Sequence, residues 1–174
     1  MIEPDYLDDY RPNVGVCLFN RSGQVWIGER SGFPDTLKGQ DYHPWQMPQG
    51  GVDEGEAIIP AALRELKEET GVETVRLLAM TPGWLVYDFP QGYKTRKGRS
   101  WRGQKQKWVA MLFEGPDHEI DLYADDHAEF QDWRWVELEE VPGLIVPFKR
   151  GVYEELAEAF IPLRDFLRDM ADRL

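Results

Sequence analysis

The chain has 174 residues, 42% hydrophobic and 13% aromatic, which excludes intrinsic disorder and is enough to bury a sizeable core. No apolar run reaches the ~20 residues that span a bilayer, no basic flank leads into an apolar stretch at the start, and the lone Cys17 excludes an internal disulfide. These features point to a cytoplasmic protein, and the formal net charge of −12 excludes broad attraction to nucleic acid, so no membrane or DNA-binding role is expected.

In chain order, Val14–Phe19 reads as a buried strand, with Val25–Ile27 as its partner across the turn Asn20–Gly23. Residues 31–44, rich in Gly, Pro, Asp and Lys, read as an exposed loop. Trp45–Met47 is a short extended piece ended by Pro48, and Gly50–Gly51 reads as a turn. A helix follows over about Ile58–Thr70; Pro60 is tolerated in its first turn, and Gly71 stands where a helix ends in the left-handed conformation. Further strands are predicted near Val75–Met80, Trp84–Phe89, Lys107–Phe113 and Trp133–Val136. From Phe148 onward, Val152, Leu156, Ala159, Leu163, Phe166, Leu167 and Met170 mark one amphipathic helix with a bend or break at Pro162. Strands with one helix in the middle and one at the end imply a mixed sheet covered by helices.

Charge is unevenly distributed. Residues 94–107, KTRKGRSWRGQKQK, hold seven basic residues and no acid, so the rest of the chain stands at −19. Most charge runs are solvated loops, but one this pure in so acidic a chain reads as a surface for a polyanion.

The chemistry concentrates in residues 50–72, GGVDEGEAIIPAALRELKEETGV. Glu65, Glu68 and Glu69 are spaced i, i+3 and i+4, so their carboxylates leave one face of the helix and repel one another. An acidic helix laced with salt bridges is the ordinary reading of such a run, and Lys67 fits it. Arg64 can pair with Glu68 but cannot neutralise all three carboxylates, whereas a hard divalent cation with oxygen ligands can. The flanks favour the cation. Gly50 and Gly51 let a loop pass close to the helix, Glu56 is placed to pair with Arg64, and Leu63 and Leu66 would anchor the helix in the core.

This segment resembles the box of the Nudix hydrolases: a Gly, five residues, a Glu, seven residues, then Arg-Glu-apolar-x-Glu-Glu-x-Gly-apolar. Gly50, Glu56, Arg64, Glu65, Leu66, Glu68, Glu69, Gly71 and Val72 fill every specified position. Chance would give this on the order of once in 10⁹ starting points, so the match is specific. The resemblance implies an α/β fold, an α/β/α sandwich with a mixed sheet and a C-terminal helix. It also implies one domain over residues 1–174, with the box at 50–72 and the C-terminal helical segment at about 148–174. It further implies hydrolysis of a nucleoside diphosphate linked to another group. Glu65, Glu68 and Glu69 would hold Mg²⁺ (Mn²⁺ as a substitute, more than one ion), Glu65 would help deprotonate the attacking water, and Gly50, Glu56 and Arg64 would support the box. The cations would neutralise pyrophosphate oxygens and acidify the water.

The stretches Tyr10–Gly15, Trp45–Gly51, Gly103–Trp108, Glu129–Val136 and Phe148–Arg150 are similar, in that order, to one subfamily, the bacterial RNA 5′-pyrophosphohydrolases, which overlap with dinucleoside polyphosphate hydrolases. That pattern makes Glu129 a further metal ligand or alternative base, and sets Arg11, Arg30, Phe148 and Lys149 around the phosphates and first base of a nucleotide. Read without it, Glu129 is an exposed loop acid and Phe148 a core residue opening a helix. Lys105 and Lys107 alternate along a strand, so they share a face and are candidates for the cleft; Trp133 and Trp135 also share a face and read as core. The basic segment places 5′-triphosphorylated RNA first as substrate and a dinucleoside polyphosphate second. A non-catalytic nucleotide-binding module is disfavoured because every box carboxylate is present.

Overall fold

The computed structural model describes residues 5–32, 43–93 and 100–173. Most of the loop read at 31–44, and Lys94, Arg96, Lys97 and Arg99 of the basic segment, lie outside them. The elements are β1 (Tyr10–Phe19), β2 (Val25–Arg30), β3 (Trp45–Gln46), β4 (Gln49–Gly51), α1 (Ile58–Thr70), β5 (Val75–Met80), β6 (Leu85–Asp88), β7 (Gly103–Phe113), β8 (Phe130–Val136) and α2 (Arg150–Ala171). The strands form one mixed sheet with the path β3-β2-β1-β7-β5; β4 pairs with β1, β6 with β7 and β8 with β2. β1 and β7 run parallel from Tyr10↔Gly103 to Phe19↔Leu112, and the other pairings are antiparallel.

Alternation along the two central strands builds both layers. Val14, Val16, Leu18, Val109 and Met111 face α1 and meet Ala61, Ala62 and Leu66. Cys17, Phe19, Trp108 and Ala110 face the other way and meet Val152, Tyr153, Leu156 and Phe160 of α2. The result is the expected helix–sheet–helix sandwich. Cys17 is fully buried in the α2 layer, and burial pushes its thiol pKa up, so it packs rather than reacts. No helix among the described residues is long and apolar enough to cross a membrane.

Several expectations need correction. Gly50–Gly51 is not a turn: with Gln49 it forms β4, paired in register with Asn13–Gly15. α2 runs unbroken through Pro162. Both Pro162 and Glu158, whose carbonyl loses its donor there, are exposed, so water satisfies what the proline removes. The buried stripe of α2 is Val152, Tyr153, Leu156, Ala157, Phe160, Arg164 and Leu167, while Phe166 and Met170 face outward. Arg164 takes a stripe position because its guanidinium pairs with Glu139 and Asp165. On α1, Leu66 is buried as expected, but Leu63 is exposed. Trp133 and Trp135 are half-buried against the α1 layer, Trp133 stacking at 6.5 Å on Trp26.

One close approach ties fold to site. Gly15 pairs with Gln49, and a Cβ at Gly15 would stand 2.5 Å from the Trp108 ring. Gly15→Ala is therefore expected to destabilise the protein by about 1–3 kcal/mol, the usual cost of overpacking. Urea unfolding followed by Trp fluorescence checks it.

Candidate active site

The site forms where β1 and β2 part. They pair only at Phe19↔Val25, and the segment from β3 to β4 crosses from β2 to β1 over the opening. Pro48 fixes the crossing with its carbonyl, which accepts from Val16 N at 2.8 Å. Gln46, Gln49 and Gly50 are thereby placed beside α1 and the end of β2.

Arg64 anchors the box. Its Nε and Nη2 each donate at 2.8 Å to the two oxygens of Glu56, Nη2 also reaches Gly51 O at 2.9 Å, and Nη1 donates to Glu65 Oε1 at 2.7 Å and Glu68 Oε2 at 3.4 Å. All five guanidinium N–H groups are used. Glu56 Oε2 also accepts from Asp53 N at 3.0 Å, which closes the loop between β4 and α1. The guanidinium draws the Glu56 carboxyl down to about pKa 2, and its own pKa is raised in return, chiefly by that pair.

Glu65 lies flat over Gly50, where a Cβ would stand 2.0 Å from its carboxyl carbon, so only glycine permits the contact. Burial raises its pKa, opposed by Arg64. Glu69 is buried and accepts from Gln49 N at 3.1 Å; burial first, and then the charges of Glu65 and Glu129, hold its pKa well above the usual carboxylate range. Glu68 is the outermost of the three, with 45% of its side chain exposed.

Two cations face this acidic group. Lys149, in a 3₁₀ turn before α2, is 7% exposed; burial and the Arg30 charge pull its ammonium down to about pKa 7, while Glu69 opposes the shift. Its Nζ donates to Gln46 Oε1 at 3.4 Å and lies 5.5 Å from the Tyr87 ring centroid. Arg30 feels both groups electrostatically, and its Nε is buried without a hydrogen-bond partner. Arg11 lies across Gly51, where a Cβ would stand 2.6 Å from Nη2. Phe148 meets Tyr87 at 5.8 Å and Tyr93 at 5.9 Å, and Tyr93 stacks on Phe89 at 4.7 Å.

The fold therefore brings Glu65, Glu69, Glu129, Arg30 and Lys149 within electrostatic reach of one another, with Phe148 joined to Lys149 through Tyr87, while Glu68 stays outermost on Arg64 and Arg11 lies over Gly51. Lys105 and Lys107 do not join them. They share a face as expected, but the pleat turns it away from Gln104, Gln106 and Tyr87, and both ammonium groups sit 5.0 Å from the Trp84 ring. Sequence reasoning missed a polar set beneath the opening. Gln106 Nε2 donates to Asn13 Oδ1 at 2.8 Å and Gln49 Oε1 at 3.4 Å, while Gln106 Oε1 is buried and unpartnered. Amides inside strands that otherwise alternate for burial are the signal that could have found them.

Among the described residues, no three acidic, His or Cys side chains are drawn tightly enough to cage a metal ion as they stand. Arg64 holds Glu65 and Glu68 instead. The donor chemistry nevertheless suits a hard divalent cation: the ligands are oxygen, and burial and then mutual repulsion raise the Glu65 and Glu69 pKa values, a penalty on their charge that a bound cation would offset. The glycine cradle under Glu65 leaves room for close approach.

A Nudix fold with an intact box defines the class, and the Nudix domain model matches residues 9–156: the chain belongs to the Nudix family, whose hydrolases generally use divalent metals. It is 54% identical over 162 residues to a Caulobacter vibrioides protein named RNA pyrophosphohydrolase, covering 92% of this chain and 90% of that one. A protein of the same name from Rhodopseudomonas palustris is 49% identical over 160 residues, covering 88% and 93%. Among solved structures, a C. elegans Ap4A hydrolase binary complex aligns with a TM-score of 0.60 at 22% identity, covering 87% of this chain and 98% of that one, a likeness of fold.

Glu56→Gln is expected to lower Tm at pH 7. Because the folded Glu56 pKa lies below its unfolded value, the stabilisation is present above about pH 4.5 and fades as pH falls toward 2. Thermal melts of both proteins from pH 7 to pH 3 should show the gap narrowing with acid.

Proposed function

We propose that the chain is a Nudix pyrophosphohydrolase that removes pyrophosphate from the 5′ end of triphosphorylated RNA. The observation that carries it is the convergence of Glu65, Glu69 and Glu129 with Arg30 and Lys149 beside the aromatic wall of Tyr87 and Phe148. The name shared by relatives at 49–54% identity supports RNA over a dinucleoside polyphosphate. Residues 1–174 then form one Nudix domain with α2 as an integral layer, since α2 closes the core behind the site.

In this reading Glu65, Glu68, Glu69 and Glu129 hold Mg²⁺, more than one ion, with Mn²⁺ a substitute. The bound cations supply Lewis-acid neutralisation of the phosphate oxygens. Glu65, whose pKa burial has raised, accepts the proton of the attacking water. Arg30 and Lys149 meet phosphate oxygens; the orphaned Arg30 Nε gains an acceptor, and a phosphate beside Lys149 restores the charge that burial weakens. Phe148, backed by the buried Tyr87, stacks on a base. Arg11, over Gly51, adds a cation at the entrance.

The test pairs a variant with two substrates. Glu65→Gln should lower kcat by about 10²–10⁴-fold, the usual worth of a positioned base, with Tm little changed. The unaltered protein should show higher kcat/KM on triphosphorylated RNA than on diadenosine tetraphosphate at fixed Mg²⁺ and salt. Preference for the dinucleotide would reverse the substrate, and full activity in Glu65→Gln would remove that residue from the chemistry.

A further inference from the structure

The sheet has a second feature, on the side opposite Gln104 and Gln106, the side on which α1 packs. Register pairs Tyr10 with Gly103, Pro12 with Lys105 and Val14 with Lys107, so Tyr10, Pro12, Lys105 and Lys107 project to one side and Arg11, Asn13, Gln104 and Gln106 to the other. On the first side Lys105 and Lys107 flank Trp84, each ammonium 5.0 Å from its ring. Beyond them an open pocket of about 310 Å³ is lined by Asp8, Tyr10, Pro12, Trp101 and Lys105. Arg102 caps its edge, its guanidinium 5.5 Å from the Tyr10 ring and paired with Asp88 at 3.1 Å.

We propose that this face binds nucleotides of the RNA substrate downstream of the reacting 5′ end: a base enters the pocket against Trp101, and the following backbone runs over Trp84 along Lys105 and Lys107. The proposal rests on the RNA reading above and extends it to a site the hydrolysis itself does not need. Flat aromatic surfaces beside cations are what a single strand requires, because every base has a π-face and every linkage a charge; here Arg102 is exposed, Lys107 half-buried, and Lys105 buried against Trp84. The acids nearby do not spoil the match. Asp88 is held by Arg102 and by the Tyr10 hydroxyl, and Asp8, on the pocket wall, can accept from a base amine or a ribose hydroxyl. Position argues the same way. The pocket lies through the sheet from Arg11 and Gln104, so a strand leaving the Phe148–Tyr93 cluster reaches it by turning over the end of β6 and β7.

The experiment compares a triphosphorylated dinucleotide with an unstructured triphosphorylated RNA of about ten nucleotides, a length within the usual site sizes for single strands. Trp101→Ala is expected to lower kcat/KM on the longer RNA by about tenfold, the worth of one stacked base, Trp84→Leu to lower it less because only backbone crosses that ring, and both to leave the dinucleotide within about twofold. Lys107→Gln should shallow the salt dependence of longer-RNA binding by nearly one ion. Tm values of all three variants verify folding, and quenching of Trp fluorescence by a 5′-hydroxyl oligoribonucleotide, lost in Trp101→Ala, reads the face without turnover. Equal loss on both substrates, or none on the longer one, would overturn the proposal while RNA hydrolysis stands. Failure of the unaltered protein to hydrolyse either RNA would overturn the substrate reading and this face with it. Quenching by an acidic protein but not by RNA would make the face a protein dock.

Discussion

The site depends on the pairing of Arg64 with Glu56. Three carboxylates within five residues of one helix repel each other, and two of them are substantially buried. Arg64 makes the arrangement tolerable: with every N–H engaged, it ties the loop through Glu56 and Gly51 and shares its charge with Glu65 and Glu68. A lysine there could not engage three glutamates and a carbonyl together, because it has three donors on one nitrogen and lacks the fork geometry. The clamp leaves Glu69 outside its reach, held by Gln49 N and by the cations Arg30 and Lys149. The site is thus a balance of opposed charges, stable as it stands and responsive to an added cation or anion.

The sheet supplies the opening in which that balance is set. β1 leaves β2 after a single paired position and takes β4 instead, so the crossing segment brings backbone N–H groups and two amides to the acidic helix face. The parallel pairing of β1 with β7 then fixes which side of each strand serves which surface. Even-numbered Gln104 and Gln106 lie on the side of the Asn13 and Gln49 amides, and odd-numbered Lys105 and Lys107 project to the α1 side with Val14 and Val109. A shift of one residue would exchange them.

Much of this is legible in the sequence, for identifiable reasons. α1 was readable to its bounds because Pro60 and Gly71 punctuate it and Leu66 and the glutamates set its faces. β4 was not, because a Gly-Gly pair signals a turn locally; its glycines exist for Glu65 and Arg11, which only the folded packing reveals. Glu129 was reachable through family resemblance alone, since it comes to Glu69 across the sheet from a distant part of the chain. Lys105 and Lys107 were rightly placed on one face, but alternation cannot say which face looks into the opening. Phe166 and Met170 fit the apolar stripe of α2 by spacing, yet Tyr153, Ala157, Phe160 and Arg164 hold the buried positions.

The central claim is that the Arg64 clamp turns mutually repelling carboxylates into a cation site. Calorimetric titration of Mn²⁺ into the unaltered protein and into Arg64→Gln tests it most directly. The expected result is affinity about 10–100-fold weaker in the variant, the usual cost of losing a group that orients metal ligands. Undiminished affinity in a folded Arg64→Gln protein would contradict it.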